Sequence, residues 1–419
     1  DHQESGRPSG PAFDDEQTFA GDPDTGMRDA ANRDDSGSQT GSFGPGVLRV
    51  GARRPGGAGV RGAAPAAARW PGRVRFLRIR RLGFSVRIDI VSAVITVALV
   101  LITAAVGIRS LGASSTDTPG LGFVEVLQVL AGQIGGSAAD HVAGWLPVVV
   151  TAILGGASLA LSGAIFQTLT RNPLGSPDII GFTTGANTGA LVAMLVFGLG
   201  SGGATVGALL GCLLTALVVY FLGMRGGTGN YRFIIVGIGV SAMLLSVNGY
   251  LVATSDVQEA GAAAAWGMGN LRDLTMADTV PVFVALAVLL PALTVVAPRM
   301  RMFELGTDSA ASKGVDTERT QMMLLVIGVG FAAATTAIAG PIAFVALVAP
   351  QVAARITPSP GIPLVTSAAV GATLLVSSEV VARTILAPQT QLPVGVVTTS
   401  LGGVYLLFLL LAQSRKARP

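Results

Sequence analysis

The chain has 419 residues, half of them hydrophobic and only 12% charged, with a mean hydropathy of +0.63. Soluble domains carry about a quarter charged residues, so this composition excludes an ordinary soluble enzyme and implies a polytopic membrane protein. The net charge of +4 does not argue for nucleic acid, because the arginines gather beside apolar runs, as the charge bias of inner-membrane proteins requires.

Residues 1–68 hold Asp, Glu, Gly, Pro, Ser and Ala without a periodic apolar pattern and are expected to be a disordered tail. Ten acidic residues against three arginines occupy its first 40 positions. The tail lacks the charged, apolar and cleavage regions of a secretory signal, so it is expected to be retained. Residues 69–87 turn basic, with Arg69, Arg73, Arg75, Arg78, Arg80, Arg81 and Arg87 ahead of the first apolar run. This reads as a juxtamembrane segment held at the cytoplasmic face by anionic lipid. No aromatic platform accompanies it, so no nucleic-acid partner is expected.

The permease-like region covers 88–412. At about 20 apolar residues per helical crossing, ten spans are predicted: 88–109, 143–168, 183–200, 204–223, 232–254, 279–298, 320–339, 342–356, 362–382 and 393–412. The eighth is short enough to be broken or partly re-entrant. The fourth holds the single cysteine, Cys212, which excludes an intrachain disulfide. With the N-terminus inside, 18 basic residues flank cytoplasmic span ends and 3 (Arg109, Arg272, Arg383) flank outer ones. The expected fold is therefore an all-α polytopic membrane protein of about ten transmembrane helices, with both termini cytoplasmic and a basic end at 413–419.

Nothing in the chain reads as catalysis. There is no phosphate-binding G-x-x-x-x-G-K-[ST] loop, and His2 and His141 lack partners at metal-ligand or acid–base spacing. No cofactor and no metal are expected. The informative residues lie in breaker-rich loops. QTLTRNPLGSPDIIGFTTG (167–185) interrupts two apolar runs, and its prolines cannot continue a helix. Here Asp178 is expected to cap the following helix and Asn172 to satisfy turn carbonyls. At the start of the fifth span Asn230, Tyr231 and Arg232 precede Ser241, Ser246, Asn248 and Tyr250, which face either a polar lumen or neighbouring helices. The longest charged insertion, RMRMFELGTDSAASKGVDTERT (299–320), offers Leu305, Ala310 and Ala311 as an apolar knob between Gly306 and Gly314. GPIAFVALVAPQVAARI (340–356) breaks again at Gly340-Pro341 and Pro350, which favours hinges or unwound backbone. Glu379 and Arg383 stand in the favourable i,i+4 order for an ion pair.

These motifs together resemble the permease subunits of ATP-binding-cassette importers for iron–siderophore complexes, a family that also includes the cobalamin and haem permeases. The resemblance covers roughly 88–411 and is closest in wording to the ferric enterobactin type. It implies a transport subunit that is not an enzyme, in the inner (cytoplasmic) membrane. Its partners would be a cytoplasmic ATPase dimer, a second permease subunit (itself or a paralogue) and a periplasmic or lipoprotein siderophore-binding protein.

Residue by residue, the resemblance makes 304–316 the ATPase-coupling segment, formed of two short helices and carrying Glu304, Leu305, Gly306, Asp308, Ala310, Lys313 and Gly314. Lys313 stands where the family usually has leucine. Asn230, Tyr231, Ser241, Ser246 and Asn248 would belong to the inner gate and pathway. Asn172, Pro173, Leu174, Asp178, Gly181, Gly340, Pro341, Pro350 and Gln351 match the structural signatures, with Gln351 where many relatives have histidine. Arg383, beside Glu379, would dock the binding protein. The family's other docking arginines would flank Leu146-Pro147, where this chain has Trp145 and Val148. That departure points to a heterodimer whose partner supplies the missing charge. A gradient-driven transporter or channel is the competing class, but it predicts intramembrane carboxylates or histidines, and the span interiors are nearly uncharged. A receptor or scaffold using the tail is a third class and needs no coupling segment.

Overall fold

The computed structural model describes residues 76–81, 84–113, 120–224, 230–359, 361–386 and 391–416; for 76–88, 201, 224, 230, 231, 410 and 412–416 it describes the backbone alone. The expected tail and the start of the basic segment lie outside these residues. An antiparallel pair, β1 (Phe76–Arg81) and β2 (Phe84–Asp89), precedes the bundle, with Phe76 opposite Asp89. This pair falls largely within the segment read from the sequence as basic and juxtamembrane, 69–87, for which no strand was expected. Leu77 and Ile79, then Phe84, Val86 and Ile88, alternate with polar residues at the strand period of two.

Asp89 ends β2 and caps α1 (Ile90–Leu111), its carboxylate accepting from the Val91 N–H and the Ser92 hydroxyl. There follow α2 (Phe123–Leu130), α3 (Ser137–Thr170), α4 (Phe182–Leu191) with a π-turn at Val192–Val196, α5 (Gly200–Met224) and α6 (Asn230–Ala253). Next come α7 (Val257–Gly267), α8 (Met276–Phe303), α9 (Thr307–Ser312), α10 (Thr317–Ala339), α11 (Val345–Ile356), α12 (Leu364–Thr384) and α13 (Val394–Lys416). Among the described residues seven helices are long and apolar enough to cross a membrane: α1, α3, α5, α6, α8, α10 and α12. Shorter apolar helices at Phe182–Val196, Val345–Ile356 and Val394–Leu409 stand at the remaining three predicted spans.

The centre of the bundle is α3, whose 34 residues extend about 51 Å at 1.5 Å each. Its middle is built of small residues, so neighbours come within backbone distance. Ser158 and Ser162 donate to the carbonyls of Phe331 and Gly328 on α10, at 2.8 and 2.7 Å. On the opposite side Gly156 and Gly371 of α12 face each other so closely that a Cβ on either would strike the other's carbonyl oxygen. In turn α12 carries α1 through three polar rungs: Thr96 to Thr366 at 2.8 Å, Thr103 to Thr373 at 2.7 Å and Ser110 to Glu379 at 3.1 Å. The rung numbers rise together on both helices, so α1 and α12 run parallel. The outward faces of α1, α5 and α8 are apolar and exposed, through Leu101, Leu210 and Val288 among others, as a lipid-facing wall must be, and α6 is exposed likewise through Met243.

Gly156→Val is expected to lower the thermal stability of the purified protein by about 1–3 kcal/mol, the usual cost of overpacking. Thr103→Val, losing one interhelical hydroxyl bond, is expected to cost about 0.6 kcal/mol. Thermal unfolding followed by fluorescence-detected gel filtration ranks the two.

Candidate functional site

The two breaker-rich loops identified in the sequence meet inside the bundle. α3 ends at Arg171, which caps it with a left-handed φ of 49°. The chain then passes 172–181 without helix, and Gly181 packs against Gly237 and Ser241 of α6 before α4 starts. Gly237 lies two turns into α6, so the loop climbs about 10 Å into the bundle. This is why the third span is short.

The eighth span is interrupted on its other half. α10 stops at Gly340 (φ 70°, ψ −174°), a backbone conformation that costs other residues dearly. An irregular stretch then leads to Phe344, which begins α11 at φ 69°, unusual for a bulky residue. Two side chains tie α3 and the loop after it to the start of α11. Asp178 accepts from the Thr183 hydroxyl at 2.6 Å and from the Phe344 backbone N–H. Gln167 donates to the Leu347 carbonyl at 2.9 Å and accepts from Gln351 Nε2 at 2.7 Å.

Several expectations change in detail. Asp178 does not cap α4, whose N-cap is Gly181 without a side-chain bond; its carboxylate instead joins the two loops. Asn172 accepts from the Leu174 N–H at 2.9 Å rather than serving carbonyls. Pro173 and Leu174 lie exposed on that turn. Pro350 sits inside α11 and, lacking an N–H, leaves the Ala346 carbonyl without its helical partner. That carbonyl points at Gly163 of α3, where a Cβ would strike it. Pro341 presents its own carbonyl to Gly269, ahead of α8. Gly163 and Gln167 were not singled out in the sequence, although a glutamine inside an apolar run was a legible signal.

At its C-terminal end, the one expected to be cytoplasmic, α8 closes at Glu304, and Gly306 (φ 106°) turns the chain into α9. A single short helix forms, not two, because after Gly314 (φ 80°) Asp316 caps α10 by accepting from the Arg319 N–H. Leu305, Asp308, Ala311 and Lys313 are exposed, whereas Ala310 is fully buried and leaves the expected knob to Leu305 and Ala311. Beside the segment lies a cleft of about 350 Å³ walled by Gln167, Arg171, Glu304, Ser359 and Gly361, among others.

On α6, Asn230 and Tyr231 open the helix, and their side chains lie outside the described set. The Ser241 and Thr184 hydroxyls are hydrogen-bonded at 3.0 Å, and Ser246 donates to Ala242 of its own helix. Asn248 is buried, with neither amide atom hydrogen-bonded among the described residues.

Arg383 and Glu379 face inward, contrary to the expectation of an outer docking pair. Both are buried, with Nε 3.6 Å from the carboxylate. Arg383 Nη2 donates to the Ser110 carbonyl and hydroxyl at 2.7 and 2.6 Å, and the guanidinium stacks 4.2 Å from the Trp145 ring centroid. Trp145, one of the residues that depart from the family pattern, thus holds the arginine inside. His141, which looked alone in the sequence, bonds the Ala113 carbonyl at 3.1 Å.

The FecCD transport family matches residues 102–412. The chain is 42% identical over 311 residues to the ferric enterobactin transport system permease protein FepG of Escherichia coli (strain K12), covering 74% of this chain and 92% of that one. It is 31% identical over 274 residues to the probable siderophore transport system permease protein YfhA of Bacillus subtilis (strain 168), covering 63% and 79%. A solved structure described as an inward-facing conformation of a metal-chelate type ABC transporter superposes with a TM-score of 0.66 at 24% identity, covering 76% of this chain and 99% of that one.

Removing one member of the outer tie is expected to be costly: Arg383→Ala leaves Glu379 buried and unpaired, worth about 3–5 kcal/mol, while Arg383→Met with Glu379→Met keeps most of the stability. Thermal unfolding of the three proteins side by side checks the sign. Gly163→Ala is expected to push α11 off α3 and raise exchange of the α11 amides with deuterium, read by mass spectrometry.

Proposed function

The chain belongs to the FecCD transport family, and on that premise we propose that it is the permease subunit of an ATP-driven importer that carries iron–siderophore complexes across the cytoplasmic membrane. The observation that carries this reading is the segment at 304–316, a short helix between Gly306 and Gly314 that exposes Asp308 and Ala311, with Leu305 and Lys313 exposed at its two ends. A small rigid helix with one apolar contact and a charged rim suits a socket on an ATPase, which supplies the hydrolysis this chain has no residues for. The thinly buried α6, exposing Ile235, Ile238, Met243 and Tyr250, would face a second permease subunit across the pathway.

A binding protein would deliver the chelate at the outer face. Arg383 can contribute there only if its tie to Glu379 and Ser110 opens, so docking rests first on other outer residues. The competing gradient-driven reading is weakened by charge. Among the described residues Glu379 and Arg383 are both buried and neutralise each other, so the carboxylate left within the bundle for a proton cycle is Asp178, already held by the Thr183 hydroxyl and the Phe344 N–H.

Cells lacking the gene are expected to regain ferric-siderophore uptake with the wild-type chain and to stay at background with Leu305→Asp plus Gly306→Pro. Proline fixes φ near −65° and cannot adopt the 106° of Gly306. Radiolabelled ferric catecholate, ferric hydroxamate, haem and cobalamin, assayed in parallel, identify the substrate. Uptake by the variant at the wild-type rate would overturn the coupling assignment.

A further inference from the structure

The coupling segment is bonded to itself almost throughout. Gly306 and Ala310, Ala310 and Val315, and Ser309 and Ser312 pair within it, and Asp316 pairs with Arg319 of the helix it caps. Glu304 is different. Its Oε1 accepts from the backbone N–H of Ile362 at 3.2 Å, 58 residues away on the loop between α11 and α12. The carboxylate lies directly over Gly361, where any side chain would collide with both of its oxygens. A side chain at Gly361 would therefore have to displace the Glu304 carboxylate from the Ile362 N–H.

We infer that Glu304 is a positioning residue that transmits displacement of the coupling segment to α12 by holding the 361–362 loop, an inference that rests on the proposed ATPase coupling. The connection has a direct mechanical route. Leu364 starts α12 two residues after Ile362, and α12 is one rigid helix as far as Glu379 and Arg383 at its outer end. α12 also carries α1 through the three polar rungs and meets α3 at Gly371. A pull on 361–362 therefore moves a helix that reaches both faces of the bundle. Glu304 is exposed, and the 350 Å³ cleft beside it leaves room for the carboxylate to leave and return. The tie can thus break and re-form within one cycle without repacking a core.

The test uses the complete complex with its ATPase and second permease subunit in proteoliposomes, measuring substrate transported per ATP hydrolysed. Glu304→Ala removes the acceptor, Gly361→Ala displaces it, and Glu304→Gln keeps an acceptor oxygen. The first two are expected to lower the transport-to-hydrolysis ratio by about fivefold or more, the lower end of usual site-to-site coupling. Their double variant is expected to be no worse than either alone, and the ATPase is expected to co-purify as with wild type. Glu304→Gln is expected to stay within about twofold of wild type, below that same coupling range. A normal ratio in Glu304→Ala, or a loss in Glu304→Gln equal to that in Glu304→Ala, overturns the inference. Loss of the ATPase from the complex in Glu304→Ala overturns it too, because the residue would then be part of the docking contact. Failure of the underlying reading is separate: the wild-type complex would itself show no ATP-dependent uptake.

Discussion

A backbone amide or carbonyl within a bilayer has no water to bond, and this bundle depends on how that demand is met where two spans cease to be helical. The stretches 172–181 and 340–344 leave peptide groups that a helix would have paired. The first stretch pairs much of its backbone in turns, Asp178 reaches from it to the Phe344 N–H at the second, and Gln167 of α3 bonds the Leu347 carbonyl in the first turn of α11. Gly163 completes the arrangement by making room for the Ala346 carbonyl that Pro350 leaves free. Each break is tolerable because the other is beside it. Together they put irregular backbone, the part of a membrane protein best able to change shape, at the heart of the protein rather than at its rim.

The rest of the architecture supports this centre. α3 is small-faced so that α10 and α12 can approach it, and α12 is rigid enough to carry α1 in parallel register. The outer end is closed by a buried ion pair under an indole ring. Such a pair contributes little net stability but strongly resists losing one partner. It fixes α1, α3 and α12 to one another at that end of the bundle. The opposite end of α12 carries the Thr96–Thr366 rung and, on the loop before it, the exposed Glu304 carboxylate over Gly361.

Hydropathy and the placement of arginine announced the membrane class and the ten apolar runs, because lipid penalises every polar residue in a span independently of its neighbours. Proline and glycine announced the two interruptions and the turn into α9, because their backbone limits are local. The hairpin at 76–89 was legible as well, in an alternation of period two that the surrounding arginines obscured. What the sequence could not show was which way Arg383 points. The same i,i+4 pair serves a surface or a core, and Trp145 and Ser110 decide between them from 238 and 273 residues away. Nor could it show that Asp178 serves Phe344, or that Gly361 is paired with Glu304.

The sequence by itself thus determined the solvent, the number of apolar runs, the family and the places where helix must stop, since each of these is set by the chemistry of residues within a few positions. Only the tertiary structure decided how the stops are satisfied and where the charges end up. Those outcomes depend on contacts between helices more than a hundred residues apart, and a bonding group carries no mark of the partner that packing will bring to it.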